Sequence, residues 1–244
     1  VAGPGPEAAK ATLFEHIFEI RTRLIRALAV FLAASLVCYL RAADMFDFLA
    51  RPAEGHLVYT HPVGAMMAYM KLAFLAGFFV SSPFILYQAF AFVAPAMRES
   101  WRRNILAAVG VGYALFFAGV AFALKALGPA MHFLLSYSRP GLQAMINVDQ
   151  YFSFVALITL GSGCAFEMPL LMYFLAGAGL IRSATLVKHW RLAVMGCLIL
   201  GAVICPTPDL VTWALVCLPL FGLYGVSVVV VRWAEAGREK AVAG

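Results

Sequence analysis

Long uncharged apolar runs, each closed at both ends by charged residues, dominate the chain. Leu72 to Met97 lies between Lys71 and Arg98, Asn104 to Leu124 between Arg103 and Lys125, and Leu210 to Val231 between Asp209 and Arg232. Gln150 to Ile181 is a further run, interrupted only by Glu167. A helix crossing a bilayer takes about 20 apolar residues at about 1.5 Å each, so all four stretches predict spans. Two shorter runs join them. Ala27 to Leu40 becomes long enough once Leu24 and Ile25 are added and Arg26 snorkels its guanidinium to the headgroups. Leu192 to Cys205, between Arg191 and Pro206, would cover only about 21 Å as a helix, which predicts local bilayer thinning or packing inside other helices. The pattern predicts an all-α polytopic membrane protein, one domain over 1–244, with six spans near 24–40, 72–97, 104–124, 150–181, 192–205 and 210–231.

Between the runs the pattern changes. Residues 1–11, with Gly3, Pro4, Gly5 and Pro6, read as a loose tail without the apolar core of a signal peptide. Leu13, Phe14, Ile17, Ile20, Leu24 and Ile25 then recur at helical spacing, so this segment is expected to lie along the membrane interface before turning into the first span. Ala42 to Met70 holds Pro52, Gly55, Pro62 and Gly64 around an amphipathic patch, Met45 to Leu49; Lys125 to Asp149 holds Gly128, Pro129, Pro140 and Gly141. Both are expected to cap the outer mouth of the bundle. Residues 232–244 form a tail. No internal repeat is visible, which removes the usual sequence support for an inverted-repeat transporter.

Composition agrees with lipid as the solvent. Of the 244 residues 64% are hydrophobic and 12% charged, against about 45–50% and about 25% in a soluble domain. The net charge of +6 is mainly an orientation signal. Thirteen of the 18 Lys and Arg lie in the N-terminal segment to Arg26, near 98–103, near 182–191 and in the tail, while five lie in the alternate segments. By the positive-inside rule both termini are cytoplasmic. No helix-turn-helix or RNA-binding signature supports a nucleic-acid partner.

Enzyme chemistry finds little to stand on. Cys38, Cys164, Cys197, Cys205 and Cys217 show no Cys-x-x-Cys spacing, and the five histidines include no His-Glu-x-x-His helix. Neither a Gly-x-Ser-x-Gly elbow nor a phosphate-binding loop occurs. No metal or other cofactor is expected. Glu167 stands apart, because Gln150 and Arg182 place it near the middle of its span. A carboxylate at that depth is costly unless paired, solvated or protonated, and intramembrane acids face a bundle interior or a wet cavity. Its plainer role would be to tie two helices together as a neutral acid. Two residues on, Pro169 lacks an N–H and frees the carbonyl near Ala165, predicting a kink and a second polar spot. At the other end of the chain, Glu15 and Glu19 are i,i+4 neighbours, and Glu19 and Arg23 form a favourable i,i+4 pair. That group reads either as a solvated interfacial face or as a site for a cationic ligand. Ala108, Gly112, Gly119, Gly161, Gly163, Gly177 and Gly179 are candidates for close helix packing.

The chain resembles the TatC family, core subunits of the twin-arginine protein translocase, from about Leu13 to about Trp233. The resemblance is carried by His16-Ile17-Phe18-Glu19-Ile20-Arg21-Thr22-Arg23-Leu24, by Pro83-Phe84-Ile85-Leu86-Tyr87-Gln88 leading to Phe90-Ala91-Phe92-Val93-Ala94-Pro95-Ala96, by Phe166-Glu167-Met168-Pro169, by Pro206-Thr207-Pro208-Asp209, and by Pro219. It implies a concave, glove-like bundle in the plasma membrane or its organellar equivalent. It also implies a receptor for Arg-Arg signal peptides of folded cargo, working as an oligomeric complex with TatA and TatB under the proton-motive force. By similarity Glu19 and Arg21 belong to the signal-binding patch, beside Phe92 and Pro95 and the loop residues Glu99, Trp101, Arg102 and Arg103.

The family loop places a glutamate where this chain has Trp101. Glu99 is the expected substitute carboxylate, with stacking of Trp101 on a signal arginine as the other option. Glu167 with Pro169 is implied to receive the signal's apolar segment or a TatA helix. Pro52 belongs to the implied outer cap, and Cys205, Pro206, Pro208, Asp209 and Thr212 to a partner-docking edge. Cys205 and Trp213 depart from the usual residues at that edge. The rival reading is an ion- or proton-coupled small-solute transporter using Glu167.

Overall fold

The computed structural model describes the backbone of residues 6–53, 55–93, 105–138, 145–205 and 209–243, and the side chains of 18–53, 55–92, 106–138, 145–205 and 209–236. Its first helix, α1 (Pro6–Tyr39), is a single rod of 34 residues. No glycine or proline follows Pro6 before Tyr39, so nothing in the sequence breaks the ladder, and Pro6 sits where a missing N–H costs nothing. Helix therefore covers part of the expected tail, and the amphipathic segment runs straight into the first span without a turn.

The segment that follows consists of α2 (Ala42–Ala50), one 3-10 turn over Arg51–Ala53, and a two-residue strand β1 (Leu57–Val58). Then come α3 (Gly64–Val93) and α4 (Ile105–Leu135). A second strand, β2 (Ile146–Asn147), leads into α5 (Val148–Phe166), α6 (Met168–Gly177), the short α7 (Ser183–Lys188), α8 (Trp190–Ile204) and α9 (Leu210–Ala243). Among the described residues five stretches are long and apolar enough to cross a membrane: Phe18–Tyr39, Gly64–Phe92, Leu106–Leu135, Val148–Gly177 and Leu210–Ala236. Helix α8, at 15 residues, spans about 22 Å and is the short sixth element the sequence led one to expect. Several helices run past the charges that bound their apolar runs. α3 begins seven residues before Lys71, and α4 continues ten residues beyond Lys125.

The segments that precede α3 and α5 pair with each other. β1 and β2 are parallel, with Leu57 opposite Ile146 and Val58 opposite Asn147. The Ile146 N–H donates to the His56 carbonyl at 2.7 Å, and the Asn147 amide donates to the Thr60 hydroxyl at 2.6 Å. Asn147 also caps α5 by accepting from the Asp149 N–H at 2.9 Å. The buried Tyr151 hydroxyl donates to the Leu49 carbonyl at 2.7 Å and pins α2 to α5. Beneath α2 lies a hollow of about 290 Å³ whose walls include Phe48, Leu75, Phe79, Leu124 and Thr159.

Packing centres on α3, α4 and α5, whose Leu72, Leu127, Phe152, Val155 and Ile158 are fully buried. A Cβ on Gly119 would stand 2.5 Å from the Ser162 carbonyl oxygen, and one on Gly163 would stand 2.6 Å from the Phe116 ring. Gly119 lets α4 and α5 meet backbone to backbone and Gly163 admits the Phe116 ring, as the small-residue pattern suggested. Gly77 does the same for α3 against Ser35 of α1. Gly179 has another purpose. At φ +81° it ends α6, where the Leu180 N–H reaches the Leu175 carbonyl and the Gly179 N–H the Ala176 carbonyl, each at 2.9 Å. Pro83 inside α3 deprives the Phe79 carbonyl of its usual donor, and the Ser82 hydroxyl supplies a substitute at 2.7 Å.

Lys71 is not a lone boundary charge. Its ammonium donates to Asp149 Oδ1 at 2.5 Å and to Ser153 Oγ at 2.6 Å, joining α3 to α5 below the strand pair. Both side chains are 35% exposed, so screening trims the contact. Lys71→Met is expected to destabilise the fold by about 1–2 kcal/mol, read as a lower melting temperature in detergent. An unchanged melting temperature would mean that the ion pair is held by the fold and does not hold it.

Candidate functional site

Two carboxylates mark candidate sites. Glu19 lies on the α1–α3 seam, where one turn of α1 brings Arg23 beneath it. Arg23 Nε and Nη2 both donate to Glu19 Oε1, at 2.9 and 2.7 Å, and Nη1 donates to Gln88 Oε1 on α3 at 3.2 Å. Glu19 and Arg23 side chains are 36% and 24% exposed, while Gln88 is buried. Beside this network runs an apolar groove of about 260 Å³ lined by Ile20, Leu24, Ala27, Ile85, Ala89 and Phe92, with Arg23 and Gln88 at its polar edge. A charged pair against a low-dielectric wall interacts more strongly than one in open water. Arg21, two positions or about 200° round α1 from Glu19, is exposed. Helix α1 is otherwise nearly bare along its span, with only 6% of it buried, and its inner-face contact is with α3.

Glu167 occupies the break between α5 and α6. Pro169, buried at the start of α6, cannot donate to the turn before it, so the helix tightens: the Glu167 N–H donates to the Cys164 carbonyl at 3.2 Å. It resumes with the Leu171 N–H on the Glu167 carbonyl at 2.9 Å. The predicted kink is thus a one-residue interruption. Both carboxyl oxygens are buried and accept no hydrogen bond among the described residues. They lie over Gly112 of α4, where a Cβ would meet Oε2 at 3.1 Å and Oε1 at 3.3 Å. Gly112 thereby makes room for an acid in the membrane, a role its sequence context could not distinguish from packing.

At the α8–α9 junction Asp209 caps α9, its Oδ2 accepting from the Thr212 N–H at 2.7 Å. Thr212 is fully buried, and Cys205 is buried at the end of α8. Trp213 Nε1 donates to the Leu198 carbonyl at 3.4 Å, so the unusual tryptophan ties α9 to α8. Pro52 sits half-buried in the 3-10 turn that follows α2. Pro95, Glu99, Trp101, Arg102, Arg103, Pro206 and Pro208 lie outside the described residues. Sequence reasoning missed Gln88 as a partner of Arg23, and the Lys71–Asp149–Ser153 cluster. It also missed Glu235, which binds the N–H of Ser183 at 2.9 Å and its hydroxyl, fastening α7 to α9. Each joins elements 52 or more residues apart. Among the described residues no three His, Cys, Asp or Glu side chains gather as a metal site.

Among the described residues, five apolar helical stretches long enough to cross a membrane, a sixth short apolar helix, and two inter-helix segments stitched together make this a multi-pass membrane protein. The sequence model for the family "Sec-independent protein translocase protein (TatC)" matches residues 15–219, and the chain belongs to that family. It is 33% identical to the Sec-independent protein translocase protein TatC of Synechocystis over 90% of this chain and 87% of that protein. It is 34% identical to the TatC protein of Helicobacter pylori strain J99 over 89% of this chain and 87% of that one. The crystal structure of a twin-arginine translocase receptor, TatC, superposes with a TM-score of 0.80 at 31% identity, covering 90% of this chain and 99% of the other. The chain is a component of the twin-arginine translocase, with a role in protein transport.

Proposed function

We propose that this chain is the receptor and core subunit of its translocase: it binds the Arg-Arg signal peptides of folded cargo and, with TatA and TatB, nucleates their transport under the proton-motive force. The observation that carries the reading is the half-exposed Glu19 carboxylate, held by Arg23 through one oxygen only. A guanidinium is a planar fork of donors matched to carboxylate oxygens, and a fixed carboxylate reads it better than a mobile one. The second arginine of the pair is assigned to Glu99, with Trp101 stacking as the other option, beside Arg21, Pro95, Arg102 and Arg103. Glu167 with Pro169 offers a polar spot to the signal's apolar segment or a TatA helix. The edge formed by Cys205, Pro206, Pro208, Asp209 and Thr212 is assigned to partner docking, with Pro52 in the outer cap. Positive-inside charge supports a plasma-membrane protein with both termini cytoplasmic.

The rival reading, an ion- or proton-coupled transporter of small solutes, draws on the burial of Glu167. Against it, no basic side chain among the described residues pairs with that acid. Photocrosslinking groups placed at position 20, in the groove beside an intact Glu19, and at position 167 are expected to capture an Arg-Arg signal peptide, with position 20 losing the adduct when the peptide carries Lys-Lys. Equal capture of both peptides at position 20 would remove the receptor assignment.

A further inference from the structure

We propose that Gln88 is a positioning residue for the signal-binding carboxylate: acting through Arg23, it keeps one oxygen of Glu19 open for a guanidinium of the ligand. The inference rests on the receptor reading of Glu19. An arginine beside a carboxylate ordinarily engages both oxygens through two parallel hydrogen bonds. Arg23 departs from that geometry. Nε and Nη2, the two donors of one guanidinium edge, converge on Oε1 at 2.9 and 2.7 Å. Among the described residues nothing donates to Oε2. The remaining terminal nitrogen, Nη1, is drawn to Gln88 Oε1 at 3.2 Å. Arginine has no acceptor, so the amide of Gln88 must turn its oxygen to Arg23.

Gln88 is 7% exposed, rooted on α3, while Arg23 and Glu19 belong to α1, a helix with little other support. The close contact of Gly77 with Ser35 fixes the two helices against each other. The buried amide thereby fixes the guanidinium from the α3 side. Without it, the guanidinium is free to swing into the two-oxygen pairing with Glu19, which occupies both acceptors and competes with an incoming arginine. A lysine ammonium, a point donor, gains less from an oxygen held in a fixed plane, so the loss should fall on arginine recognition.

The test measures equilibrium binding of labelled Arg-Arg and Lys-Lys signal peptides to membranes carrying the full chain with its translocase partners. Gln88→Leu should weaken Arg-Arg binding about tenfold, the scale of one lost charge-assisted contact, with Lys-Lys binding unchanged. Gln88→Glu, which retains an acceptor, should stay within about twofold of the parent. In an Arg23→Met background, where nothing competes for Glu19, Gln88→Leu should cost nothing further. Full Arg-Arg affinity in Gln88→Leu, an equal fall for both peptides, or an undiminished penalty in the Arg23→Met background would each overturn the proposal. Parent membranes in which Glu19→Gln leaves Arg-Arg binding intact would overturn the receptor reading and this inference together. Glu19-dependent binding with a silent Gln88→Leu would overturn this inference alone.

Discussion

Exchanging Glu19 for lysine is expected to abolish recognition of an Arg-Arg signal peptide, lowering its affinity by about a hundredfold or more, while the protein still inserts and folds. The ligand loses its carboxylate and meets a like charge one turn from Arg23. Removing one partner of a close charge pair at an interface costs about 2–5 kcal/mol, and each 1.4 kcal/mol is about tenfold in affinity. Glu19 is 36% exposed, so the intramolecular Glu19–Arg23 pair contributes little to stability. The melting temperature should therefore move little, and binding should move much. The same substitution separates a receptor from a structural scaffold, which would bind the peptide as before. Peptide affinity in membranes, together with thermal denaturation of the purified chain, checks both halves.

What was readable in the sequence follows the range of each interaction. Elements set by local chemistry could be read: the apolar runs, the break at Glu167 imposed by Pro169, and the short α8 between Arg191 and Pro206. Charge as a boundary marker worked less well. Lys71 lies inside α3 because Asp149, 78 residues away, takes up its charge, and no local pattern shows such a partner. The two strands have two residues each, too few for any alternation to register. Helix α1 passes from its amphipathic segment into the first span without the expected turn, because an amphipathic face does not itself demand one and no residue there breaks a helix.

The site divides in the same way. Glu19 and Arg23 were legible as an i,i+4 pair, since both lie on one helix. Gln88 was visible only as part of a motif, because its role depends on α3 lying against α1. Gly112 looked like any packing glycine until Glu167 was found over it. Long-range polar contacts are thus what separates the legible scaffold from the site it positions.

Glu167→Ala is expected to leave the fold intact and to reduce export of Arg-Arg cargo about tenfold or more. The stability half follows from the hydrogen-bond census around the acid. Its oxygens have no partner among the described residues, so truncation removes a buried, unsatisfied group and breaks no internal bond, which is neutral or stabilising where a paired residue would be costly. The transport half follows from the receptor reading, in which this polar spot on the α5–α6 break engages a membrane helix from another chain. One hydrogen bond in an apolar setting is worth about 1–2 kcal/mol, enough for roughly a tenfold loss. Glu167→Gln makes the test sharper. It keeps the volume over Gly112 and the hydrogen-bonding capacity but cannot ionise. Export supported by Gln and lost with Ala is the expected result, because helix docking needs a polar partner and not a proton carrier. A Gln variant as inactive as Ala would mean that export needs the carboxyl to ionise or exchange a proton, and not merely a polar partner. Normal export by the Ala variant would remove Glu167 from the function. Export of an Arg-Arg reporter, scored beside melting temperature for both variants, distinguishes the three outcomes.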